Sequence, residues 1–169
     1  MGVFEAVRTV LAVRSYQDRA VPAEVVSRIA EAARLTASSQ NRQPWHFIVV
    51  EARAALRQLG ALCTSGPYTA DAAFAIVVGV NADSRSGTAD AARAIQSMVL
   101  TAWEAGVGSN WVGIARADEV RTLLGAPSTL NLVAVVPFGY PARRAGLGKK
   151  DRKPLGEVVH RGRFGVPFA

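Results

Sequence analysis

Thr36-Ala37-Ser38-Ser39-Gln40-Asn41-Arg42-Gln43-Pro44-Trp45-His46-Phe47-Ile48-Val49-Val50 passes from a polar loop into an apolar strand. Serines, an asparagine and a proline end the helical pattern before it, so Thr36 to Pro44 reads as a loop. Trp45 to Val50 is aromatic and β-branched and reads as a buried strand. Ser38 to Gln43 is dense in hydroxyls and side-chain amides, and it closes on a stiff Pro44-Trp45 step. Donors and acceptors on a rigid frame suit the hydrogen-bonded reading of a planar heterocycle. Standing alone, the stretch would read as a loop capped by its own serines.

Upstream, Glu5 to Val13 carries Val7, Val10 and Leu11 on one face and predicts a first helix. Val21-Pro22 opens a second, with proline in a first turn that needs no N–H and Glu24 at the positive end of the dipole. Its core face is Val25, Val26, Ile29, Ala32, Ala33 and Leu35. Downstream, Arg53 to Leu62 predicts a short helix, and Ala73 to Val80 a strand apolar on both faces and therefore central. Asn81 to Gly87 is a polar turn. Ala89 to Ala105 is a long helix that Gly106 ends by its freedom to adopt left-handed dihedrals. Ser109 to Ile114 predicts a third strand, Asp118 the cap of a helix running to Leu124, and Leu130 to Phe138 a fourth strand. Helices and strands mix without strict alternation, which predicts an α+β layout in one domain, residues 1–169.

The 169 residues suit a single domain with a sizeable core. No apolar run is long enough for a membrane helix, and the N-terminus lacks the basic-then-apolar order of a secretory signal. One cysteine, Cys63, allows no intrachain disulfide and fits a reducing, cytoplasmic setting. The net charge of +7 favours anionic partners. Arg143, Arg144, Lys149, Lys150, Arg152, Lys153, Arg161 and Arg163 concentrate it in a basic tail, residues 142–169, suited to a phosphate or a partner subunit. Nucleic-acid binding would rest on charge alone, because no RNA-binding or recognition-helix motif accompanies it.

His46 and His160 are far apart in sequence and Cys63 lacks a CxxC partner, so no metal site is expected. No GxSxG elbow or Walker loop is present, so no side-chain nucleophile is expected. His46 reads as a structural or surface histidine. Gly106-Val107-Gly108 has Trp111 where a dinucleotide fingerprint needs its third glycine, and it follows a helix, so it reads as a turn.

Four segments, in order, resemble the nitroreductase family of flavin enzymes. They are Thr36 to Val50, Gly106-Val107-Gly108-Ser109-Asn110-Trp111-Val112-Gly113, Val136-Pro137-Phe138-Gly139-Tyr140-Pro141, and Lys150-Asp151-Arg152-Lys153-Pro154-Leu155. The resemblance implies a central mixed β-sheet flanked by helices, in an intertwined homodimer with two flavin mononucleotide (FMN) sites at the subunit interface. The Ser38-Ser39-Gln40-Asn41 loop would reach the flavin of the partner subunit, with Gln43 a further cofactor-binding candidate. The Val112-Gly113 backbone would approach the ring near N5, with Trp111 a further cofactor-binding candidate, and Lys150 and Arg152 would hold the phosphate.

The family pattern Arg-Arg-Ser-x-Arg falls, without a gap, on Val10 to Arg14, so only Arg14 survives. A second register, with a deletion before Val21, places Arg14-Ser15 on the Arg-Ser pair. In either register Arg14 is the cation expected at the flavin, and Ser15 is a further cofactor candidate. The implied chemistry is ping-pong. NADH or NADPH gives a hydride to the flavin, and an electron-poor acceptor such as a nitroaromatic or quinone is then reduced on the same ring face. A flavin- or other cofactor-binding protein of the same fold, without nicotinamide turnover, is the alternative that the lost arginines raise.

Overall fold

The computed structural model describes residues 1–143 and 150–168. The central strand β2 (Phe74–Asn81) is buried at every position but its last. It pairs antiparallel with β1 (Trp45–Val50) from Trp45 opposite Val80 to Val50 opposite Ala75. On its other edge it pairs antiparallel with β4 (Leu130–Gly139), from Phe74 opposite Phe138 to Asn81 opposite Leu130, with a bulge between Val78 and Gly79. The two-residue β3 (Gly108–Ser109) closes the far edge against β4, giving the order β1-β2-β4-β3. All three ladders are antiparallel, and the parallel component of the sheet is the single bridge between Ala12 and Ser109.

Strand side chains alternate between faces, so β2 feeds two cores. Phe74, Ile76, Val78 and Val80 pack with α2 (Ala23–Arg34) and α4 (Gly87–Glu104) through Val26, Ile29, Ala33, Ala94, Met98 and Ala102. Phe74 and Phe138 stack there with centroids 4.9 Å apart. Ala75 and Val77 face α3 (Arg53–Leu62) and α5 (Ala117–Leu124) through Leu56, Leu59, Leu62 and Val120. Helices thus cover both sides of one sheet, the expected α+β layout.

Three local expectations are corrected. The first helix, α1, is Val3–Thr9 and stops short of Val13, because Val13 donates its N–H to the Ser109 carbonyl at 2.9 Å. The expected strand from Ser109 to Ile114 shrinks to Gly108–Ser109, followed by isolated bridges from Val112 to Val135 and from Ile114 to Cys63. The alternating apolar residues there report burial of a crossing chain, not a continuous ladder. Arg116, not Asp118, caps α5, while Asp118 sits in its first turn and pairs with Arg121 at 2.6 Å. Gly106 ends α4 with φ of 75°, as its position predicts.

Of the basic tail, residues 144–149 and 169 lie outside the described residues. The rest carries α6 (Leu155–Val158) and a terminal loop folded on itself, with Arg161 N–H bonded to Val166 O and Phe168 N–H to Val159 O. Lys150 donates to the carbonyl of Val7 at 2.7 Å and fastens the tail to α1.

Candidate functional site

The Ser38–Gln43 loop is held in an uncommon backbone state. Gln40, Asn41 and Gln43 have φ of 52°, 54° and 49°. Each non-glycine residue in the left-handed region costs on the order of 1–3 kcal/mol, and such strain persists only when the surroundings over-determine it. The Ser38 hydroxyl accepts the Gln43 N–H at 2.9 Å, and the Asn41 carbonyl accepts the Gln43 side-chain amide at 3.2 Å. The Ser39 N–H donates to Asp90 Oδ1 at 3.0 Å. Asp90 lies in the first turn of α4, is 2% exposed, and takes the Ser86 hydroxyl on its other oxygen at 2.9 Å. The loop is thereby pinned to the N-terminal end of α4. Ser39, Gln40, Asn41 and Gln43 are exposed and Ser38 half-buried.

A second cluster forms at the opposite end of α4. Ala12 and Val13 run beside β3, which sets Arg14 and Ser15 next to the segment entering Asn110 and Trp111. Val13 and Tyr16 are buried while Arg14 and Ser15 are exposed. The Tyr16 hydroxyl lies 2.9 Å from the Val13 carbonyl and 3.3 Å from that of Pro137, and burial raises its pKa far above the ordinary phenol value. Gly108 makes the close approach possible, since a Cβ there would run into Val13, whose Cβ would be 2.7 Å and Cγ1 3.0 Å away.

Trp111 is 44% exposed, and Val112 is fixed by two hydrogen bonds with Val135, at 2.9 and 3.0 Å. The Gly113 carbonyl accepts the Thr64 N–H at 3.0 Å, and Asn110 donates to the Tyr68 hydroxyl at 2.6 Å. Lys150 joins this end through Val7. Partial desolvation, and then the nearby Arg152 guanidinium, push its ammonium below the usual lysine value. The Arg152 guanidinium donates to the Asp151 carbonyl at 2.6 Å.

The predicted residues are divided in space. The Ser38–Gln43 loop is at the N-terminal end of α4. Arg14 and Ser15 follow Val13 beside β3, beyond the C-terminal end of α4, and Lys150, with Arg152 near it, lies against α1. Trp111 to Gly113 run on from β3, with Val112 in the core on the opposite face of the sheet from α4. Asp90 to Glu104 alone spans about 20 Å at 1.5 Å per residue. Sequence reasoning missed Asp90, Thr64, Tyr68 and Asn110, whose roles arise from contacts between distant segments. His46 is exposed on β1 and pairs with Asn81 at 3.0 Å, as a surface histidine does. Among the described residues no helix is long and apolar enough to cross a membrane.

Comparison with known proteins agrees with this architecture. A protein of Methanothermobacter thermautotrophicus, provisionally named an NADH dehydrogenase/NAD(P)H nitroreductase, is 34% identical over 154 residues, covering 86% of this chain and 81% of that one. A protein of Archaeoglobus fulgidus with the same provisional name is 33% identical over 160 residues, covering 88% and 91%. The solved structure of an FMN-dependent nitroreductase from Clostridium difficile superposes with a TM-score of 0.86 at 26% identity, covering 95% of this chain and 99% of that one. The nitroreductase family model matches residues 8–80 and 65–140, and the chain belongs to that family of oxidoreductases.

Proposed function

We propose that the protein is a homodimeric FMN-dependent oxidoreductase that oxidises NADH or NADPH and reduces a small electron-poor acceptor, such as a nitroaromatic or a quinone. The observation that carries this reading is the division of the site between the two ends of α4. A loop strained into shape but left open, and cations beyond the far end of a helix more than about 20 Å long, would make one composite site if a second copy brought its loop to the first copy's cations. The exposed apolar side chains Val3, Phe4 and Val7 of α1, with Leu155, Val158, Phe164 and Phe168 of the tail, supply the surface such a dimer would cover. The single cysteine fits a reducing, cytoplasmic setting.

The residues present fit the cofactor. Lys150 and Arg152 lie close enough for one charge to disfavour the other, a repulsion that a phosphate dianion relieves. Arg14 and Ser15 would face the ring and ribityl, with Arg14 supplying a fixed cation where negative charge develops. The Val112–Gly113 backbone, locked to Val135 and Thr64, would give the ring a rigid wall beside Trp111. The partner's Ser38, Ser39, Gln40, Asn41 and Gln43 would close the other side with side-chain hydrogen bonds. When bound, FMN supplies the two-electron chemistry linking nicotinamide to acceptor. The chain's own part is to bind, orient and leave one ring face open to both substrates in turn.

A melt with FMN tests the binding. At a hundredfold excess over its dissociation constant a ligand adds about 2.7 kcal/mol, a rise of roughly 5–10 °C for a chain of this size. An unmoved melting temperature at saturating FMN would sink the proposal. If FMN binds but is not reduced by either nicotinamide, the chain is a cofactor-binding member of the fold.

A further inference from the structure

We infer that Asp90 is the positioning residue of the Ser38–Gln43 loop, holding it in the conformation that meets the flavin; the inference rests on the function proposed above. Three observations converge on it. Three of the four residues from Gln40 to Gln43 are left-handed without being glycine, so the loop needs an external hold. Asp90 is only 2% exposed, so its carboxylate is not left to water. Both its oxygens instead accept hydrogen bonds, from the Ser39 N–H at 3.0 Å and the Ser86 hydroxyl at 2.9 Å, and Arg93 flanks it at 3.6 Å. Ser86 and Arg93 orient the carboxylate, and the carboxylate orients the loop. Its place in the first turn of α4 adds the favourable helix dipole.

Without the hold, the loop samples relaxed conformations in which the Gln40, Asn41 and Gln43 side chains face elsewhere. Apparent affinity falls in proportion to the competent fraction, so a loop correctly shaped one-tenth of the time raises the FMN dissociation constant about tenfold. Asp90→Asn retains an oxygen for the Ser39 N–H and an amide for the Ser86 hydroxyl, so it keeps the hold and loses only the charge. Asp90→Ala loses both hydrogen bonds.

Hydrogen–deuterium exchange on the flavin-free protein reads the hold directly. The peptide from Ala37 to Pro44 should exchange at least fivefold faster in Asp90→Ala and within twofold of wild type in Asp90→Asn. Ser86→Ala, which frees only Oδ2, should fall between them and serves if Asp90→Ala does not fold. Wild-type exchange in Asp90→Ala, or in Ser86→Ala when that variant stands in, overturns the inference, as does Asp90→Asn exchanging as fast as Asp90→Ala.

FMN titration supplies a readout that a merely structural role would not move. Asn41→Ala should weaken binding in wild type but add little in Asp90→Ala, whereas Lys150→Ala should weaken both equally. Full additivity of Asp90→Ala with Asn41→Ala contradicts the positioning role. If Asn41→Ala and Lys150→Ala both leave FMN binding unchanged, the site assignment fails instead, and the exchange experiment still decides what Asp90 does.

Discussion

Replacing Gly108 by alanine tests the seam that would set Arg14 at the proposed flavin site. The added methyl meets Val13 at once, with Val13 Cβ 2.7 Å and Cγ1 3.0 Å from the new carbon. Valine is branched at Cβ and stiff about χ1, so it cannot rotate away. Relief requires the Ala12–Arg14 segment to lift from β3, breaking the 2.9 Å bond from Val13 N–H to Ser109 O. Overpacking costs roughly 1–3 kcal/mol and the lost hydrogen bond about 1 kcal/mol, together about 2–4 kcal/mol. For a chain of this size that lowers the melting temperature by roughly 4–16 °C. Because Arg14 adjoins Val13, FMN affinity should fall too. Gly106→Ala is the control. Its Cβ would meet nothing within 4 Å, and φ of 75° limits its cost to about 1–2 kcal/mol of backbone strain, so FMN affinity should hold. Adding Val13→Ala to Gly108→Ala removes the two γ-carbons but not the Cβ, so it should recover only part of the loss. Thermal melts and FMN titrations of the four proteins read all of this. Gly108→Ala melting within about 2 °C of wild type, with unchanged FMN affinity, would show that Val13 is not held against β3, since the combined packing and hydrogen-bond cost is roughly 4 °C or more.

Lys150→Ala and Arg152→Ala should each raise the FMN dissociation constant roughly 10–100-fold while leaving riboflavin, which lacks the phosphate, nearly unaffected. Equal losses for both ligands would place these cations away from the phosphate. Phe4→Asp and Val7→Asp put charge on the exposed apolar face of α1, and light scattering should then report monomers with weakened FMN binding; an unaltered dimer assigns the interface elsewhere. Burial pushes the Cys63 thiol up to about 11, so below that pH it stays protonated and unreactive. About one molecule in a thousand is thiolate at pH 8, and iodoacetamide labelling followed by mass spectrometry should be slow there and quicken as pH rises. Rapid labelling at pH 8 contradicts the burial.

The main strands were legible because their signals are local. Trp45 to Val50 is bounded as its aromatic and β-branched run predicts, and β2 is central as its two apolar faces require. Elements decided by distant partners were not. Val10 to Val13 carries a helical pattern, yet the bond to Ser109 and the bridge at Ala12 draw it into extended structure beside β3. Gly106-Val107-Gly108 reads as a turn, and only the packing of Val13 shows why the second glycine has no side chain. The same limit applies to the site. The polar loop was visible by composition, but its left-handed backbone and its dependence on Asp90 join residues 51 positions apart. The separation of the loop from Arg14 and Lys150 needed the length of α4 in space.

The proposed function requires that this chain bind FMN and pass electrons from a nicotinamide through it. An anaerobic visible spectrum of the protein, dialysed after loading with FMN, tests it most directly. The flavin band should be retained, bleach on adding NADH or NADPH, and return when a quinone is added. A protein that emerges colourless, or one whose band neither nicotinamide bleaches, contradicts it.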